Sequence, residues 1–153
     1  MKLGIAIGLA TLLINVPASA DQLAGSPVKI FSCSVGNKTV SVTAVGKQLI
    51  YHYGTPIKEE MSIIGGAGTG NTFWMTQRYA GIEHQLRFKN GQYSYIVYNM
   101  EGNGNTGVAG VSGLVVMQGT KTIADKSCSK YTEFSTSYNF DDLPEDTDAY
   151  SAM

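Results

Sequence analysis

The chain has 153 residues, with 11 Lys and Arg against 12 Asp and Glu, a formal net charge of −1, and 43% hydrophobic residues. That length fits a single domain, and the charge excludes the strongly basic surface that a nucleic-acid partner needs. The two cysteines leave room for one bridge.

Met1-Lys2 is a short positive start, Leu3 to Val16 is mostly apolar, and Ala18-Ser19-Ala20 precedes Asp21 as an A-x-A cleavage site. Residues 1–20 are therefore predicted to be a signal peptide, with an apolar run too short to span a bilayer. Asp21 stands where a lipid-anchored protein needs Cys, so no membrane anchor is expected. The product is expected to be periplasmic or secreted, where disulfides persist. Cys33 and Cys128 are expected to pair, closing a long loop worth about 4–5 kcal/mol of chain entropy and bringing the first and last strands together.

Between the cysteines, period-two alternation dominates. Val28 to Val35 reads as the first strand, and Thr39 to Ala44 alternates hydroxyl and aliphatic side chains. Gln48 to Tyr53 follows. Ile57 to Ile64 reads as a weaker strand, in which Glu59-Glu60-Met61 could instead hold a helical turn. After the glycine-rich run Gly65 to Asn71, Thr72 to Tyr79 and Ile82 to Lys89 form a hairpin, and Asn90-Gly91 predicts a type I′ turn into Tyr93 to Met100. A second glycine loop, Glu101 to Gly107, leads into Val108 to Gln118 and then Thr120 to Cys128. The reading is all-β, one domain over residues 21–140: a small antiparallel barrel of about eight strands, or a sandwich, closed by one disulfide. The disulfide and the need to remove free edges favour the barrel.

Beyond Cys128, residues 129–139 could add a short strand, and residues 141–153 read as a disordered acidic tail with five acids between Asp141 and Asp148. Without that tail, residues 21–140 carry 10 basic and 7 acidic groups.

No cofactor, metal or catalytic site is expected. Gly102 to Gly107 spells G-x-G-x-x-G, but the residues after it are not helix formers, so nothing would place a helix N-terminus on a phosphate. The acids of the tail lack the spacing of a calcium loop. His52 and His84 share parity with aliphatic strand positions and read as packed or rim residues. Glu59, Glu60, Glu83 and Glu101 are available for paired-carboxylate chemistry, yet no spacing selects a pair. Trp74 beside Phe73, with Tyr93, Tyr95 and Tyr98, supplies core or recognition surface.

Phe31-Ser32-Cys33, the loop Thr69-Gly70-Asn71-Thr72-Phe73, the pair Phe73-Trp74 and the closing Cys128 together make residues 31 to 88 resemble the periplasmic or membrane-bound inhibitors of c-type lysozyme. In those small barrels the corresponding motifs are Y-x-C, S-G-x-x-Y and F-W. Phe31 stands in place of the first Tyr, and Thr69 and Phe73 in place of the loop Ser and Tyr. The resemblance implies an exported inhibitor or immunity protein whose partner is a cell-wall hydrolase. Its binding loop would comprise Gly68, Thr69, Gly70, Asn71, Phe73 and Trp74, with the Thr69 hydroxyl meeting a catalytic carboxylate. The alternatives are a glycan or small-ligand binding module, a structural envelope protein, and a hydrolase whose acids converge only in space.

Overall fold

The computed structural model describes residues 25–78, 81–148 and 150. The expected signal peptide lies outside them. Nine strands follow in order: β1 Val28–Val35, β2 Lys38–Val45, β3 Gln48–Thr55, β4 Lys58–Gly66, β5 Thr72–Arg78, β6 Ile82–Asn90, β7 Tyr93–Met100, β8 Val111–Gln118 and β9 Lys121–Ser127. The weak segment around Glu59 is strand, not helix. Among the described residues the one helical element is a short 3-10 turn, Phe140–Asp142.

The strands form two antiparallel meanders, β1-β2-β3-β4 and β5-β6-β7-β8-β9, stacked as a sandwich. The expected barrel is thereby corrected, since β1 pairs only with β2, β9 pairs only with β8, and no ladder joins the sheets. The Cys33–Cys128 disulfide forms as expected, with Cα atoms 5.4 Å apart. It ties β1, an edge of one sheet, to the residue just past β9 in the other, so it clamps two layers without closing one.

Four hairpins turn on Gly-X pairs, Gly36-Asn37, Gly46-Lys47, Gly91-Gln92 and Gly119-Thr120, each glycine having φ between 58° and 64°. No described non-glycine residue has positive φ. The expected Asn90-Gly91 type I′ turn, which needs two left-handed residues, is replaced by one on Gly91-Gln92 with a single left-handed residue, as in type II′.

The core lies between the sheets. Val40, Val42, Leu49 and Tyr51 from one layer meet Leu86, Phe88, Val97 and Leu114 from the other, all at most 2% exposed. Phe134, Tyr138, Phe140 and Leu143, from the chain beyond β9, complete it.

That last stretch crosses between layers. Cys128 N–H donates to Ser112 O on β8, Ser129 N–H to Ser34 O and Ser135 N–H to Ile30 O on β1. It covers the β1 edge without becoming a strand. Farther on, Trp74 N–H donates to Pro144 O and Asp146 N–H to Trp74 O, so the chain also covers the β5 edge. The acidic tail, expected to be disordered, is therefore a packed strap as far as Asp148. Its anchor is a fully buried ion pair on the outer face of the five-stranded sheet: Arg87 Nε to Asp146 Oδ2 at 2.7 Å, the side chains 2% and 1% exposed. Gln85 Nε2 donates to the same oxygen, and Lys89 holds Asp148.

Removing one member of a buried pair strands the other charge, at a cost of about 3–5 kcal/mol. Asp146→Ala should lower unfolding stability in urea by that amount. A change below about 0.5 kcal/mol, the value of a solvated surface position, would contradict the packed strap.

Candidate functional site

The loop between β4 and β5 is built around short side chains. Thr69 Oγ1 lies 2.7 Å from Gly66 O and 2.6 Å from Asn71 Oδ1. Asn71 Nδ2 donates to Ile64 O, Thr72 Oγ1 donates to Asn71 Oδ1, and Gly66 N–H donates to Thr72 Oγ1. Gly68 and Gly70, with φ of 82° and 73°, form an exposed apex. Gly68, Thr69, Gly70 and Asn71 lie in this loop, but the single Thr69 proton is spent inside it. The hydroxyl positions the apex and is not offered to a partner's carboxylate.

Phe73 and Trp74 do not join that loop. As successive residues of β5 they point to opposite faces of the sheet. Phe73 is on the outer face, with Lys89 Nζ 4.9 Å from its ring centre. Trp74 faces inward, in register with Leu86, beyond the end of the main core. There it stacks against Phe140 (4.0 Å between ring centres, planes at 15°) and His84 (5.5 Å, 14°), while Phe134 meets it edge-on at 5.0 Å.

These rings form one wall of a groove of about 440 Å³ between the inner face of the five-stranded sheet and residues 133–141. The sheet supplies Thr76, His84 and Asn99, inward by register, and Glu101 follows directly on β7. Thr76 Oγ1 and His84 Nδ1 are 2.9 Å apart, and His84 Nε2 is 3.7 Å from Glu101 Oε1. On the facing segment, Tyr131 donates its hydroxyl proton to Glu133 Oε1 at 3.0 Å and accepts from Asn99 Nδ2 at 3.4 Å. That arrangement fixes the Asn99 amide and leaves its buried Oδ1 without a hydrogen-bond partner. Glu101, Glu133 and Asp141 all line this groove, a convergence that strand spacing does not reveal. Of the other carboxylates considered from sequence, Glu59 pairs with His52 and Glu60 with Lys38, and neither lines the groove.

Strand parity marks His84 as a packed or rim residue, whereas Trp74 is expected from sequence in the binding loop or as core or recognition surface. Asn99, Glu133 and Phe140 were missed. Alternation gives Asn99 an inward side but cannot say that the sheet extends past its partner there. Glu133 sits on irregular chain and Phe140 opens a single 3-10 turn, and no periodicity encodes the path of either. No group of three or more His, Cys, Asp and Glu among the described residues is arranged to hold a metal ion. No described helix is long and apolar enough to cross a membrane.

No protein-family model, curated protein or solved structure matches the chain.

Burial, and next its hydrogen bond to Glu133, pushes the Tyr131 phenol up to about 12 from an ordinary value of 10.0. A raised folded pKa means that stability is fully present below the unfolded value and is lost as pH climbs through the folded one. Unfolding midpoints should fall between about pH 10 and pH 12, and less steeply in Tyr131→Phe. Parallel pH profiles for the two proteins would show that the phenol is not a source of the alkaline loss.

Proposed function

We propose that the protein is an exported, non-catalytic binding protein that blocks a cell-wall hydrolase, as an inhibitor or as an immunity protein, with the β4–β5 loop as its inserting element. The observation that carries this reading is the internal hydrogen-bond network of the loop. Ordering a flexible loop on binding costs affinity, and a loop already fixed in the free protein avoids that cost. Its apex carries two glycines flanking Thr69, so backbone can approach a narrow cleft with only one short side chain beside it. Export is supported by the disulfide, which persists in oxidising compartments, and by the leader pattern of residues 1–20.

A second reading has its own observation. The Trp74 groove is concave, part aromatic and part polar, and such sites hold small ligands. Glu101 is held beside His84 and Glu133 beside Tyr131, so each carboxylate has a fixed neighbour. That arrangement suits a binding wall.

The test is clearing of cell-wall suspensions by c-, g- and i-type lysozymes with oxidised residues 21–153 added. One class should slow stoichiometrically. Asn71→Ala, which removes the hub of the loop network, should weaken that inhibition about tenfold, equivalent to about 1.4 kcal/mol, while the protein stays folded. Undiminished clearing by all three classes would remove lysozymes as targets, and full inhibition by the variant would remove the loop as the contact.

A further inference from the structure

The groove has a chemical bias that narrows its ligand. Four observations define it. The side chains whose charge faces it are acidic, Glu101, Glu133 and Asp141, and among the described residues no Lys or Arg lines it. With the packed strap included, residues 21–148 carry 10 basic and 12 acidic groups, and the groove gathers three of the acids while the cations lie elsewhere. The orphaned Asn99 Oδ1, on a side chain 1% exposed, adds a fourth acceptor that the protein leaves without a donor. A buried polar atom left without a partner costs about 1–3 kcal/mol, and a ligand that supplies the donor removes that cost.

The remaining wall is aromatic. A sugar ring would need an open aromatic face to lie on, but Phe140 and His84 already stack on Trp74. What the rings offer is apolar surface of the kind that packs a methylene chain. A metal ion is a poor fit, since the acids and His84 do not converge as ligands.

We propose that the Trp74 groove binds an organic cation, a guanidinium or ammonium group on an apolar stem, whose N–H donors meet Glu101, Glu133 and Asn99 Oδ1 while the stem lies along Phe134 and Trp74. This rests on the groove reading and not on the inhibitory loop; no loop residue from Gly66 to Asn71 lines the groove. The cation can be a free amine or a basic side chain of a protein, and both present the same chemistry.

Trp74 is the only tryptophan in the chain, so its emission reports on the groove alone. The full oxidised protein should be titrated with agmatine, with a capped Gly-Arg-Gly peptide and with neutral chitotriose. Saturable change with agmatine or with the peptide at up to about 10 mM, and none with chitotriose, is the expected result. Agmatine alone would mark a free cation as the ligand, and the peptide alone a protein's side chain. Glu101→Gln and Glu133→Gln, both conservative changes, should each weaken the response about tenfold, the effect of one charge-assisted contact. No saturation with either cation, an equal response to chitotriose, or unchanged affinity in both variants would overturn the proposal. None of these outcomes bears on lysozyme inhibition by the loop, which the clearing assay reads separately.

Discussion

Everything beyond the two meanders depends on the requirement that exposed sheet edges be satisfied. Four edges exist, β1 and β4 on one sheet, β5 and β9 on the other. An unpaired edge is a template for another chain unless it is charged, twisted or covered. β4 begins with Lys58-Glu59-Glu60, and β9 is almost wholly exposed and carries Lys121, Asp125 and Lys126, so charge protects both. β1 and β5 carry only one charge each, Lys29 and Arg78. The chain after Cys128 covers first one and then the other, through Ser129 and Ser135 on β1 and Pro144 and Asp146 on β5. The disulfide fixes where that stretch begins, and the Arg87–Asp146 pair fixes where it lands.

Covering the edges also makes the groove. To travel from β1 to β5 the chain must cross the open end of the sandwich. Phe134, Tyr138 and Phe140 are the side chains it drops there. They fill the end only in part, because the inner-face positions beyond Leu86 and Val97 are mostly polar: Thr76, His84 and Asn99, with Glu101 just past β7 and Ile82 the apolar exception. Apolar residues at those positions would have let the crossing segment seal the gap. The concavity thus arises where the inward alternation of the five-stranded sheet changes from aliphatic to polar.

The strands were legible because each has a face that must be buried, and period-two patterning records that directly. β1 and β7 fall on the residues that alternation marks, and β6 extends them by only one. The barrel was not legible, because alternation fixes which side of a strand is inward and is silent on whether the first and last strands share a ladder. The strap was misread for a sharper reason. Asp146 looks like one acid in a solvated run, and Arg87, on the polar parity of β6, looks like an ordinary surface residue. Each is solvated in isolation. They become buried only together, across 59 positions, and no local pattern records such a pairing. The same holds for the groove, whose two sides come from a regular sheet and an irregular segment.

Tyr138 joins the two candidate surfaces. Its ring packs edge-on against Phe140 at 5.2 Å and lines the groove, while its hydroxyl donates to Lys47 O in the β2–β3 turn at 2.9 Å, close to the backbone of Ala67 at the start of the β4–β5 loop. Gly66, which anchors Thr69, packs so closely on Lys47 that a Cβ there would sit 2.5 Å from Lys47 O. One buried side chain therefore touches the wall of the groove, the turn that braces the loop and the root of the loop itself. A ligand that moved the 133–141 segment would bear on the loop through Tyr138, and a partner seated on the loop would press back on the groove along the same contacts. Any coupling between the two sites must be equal in both directions, whatever its size.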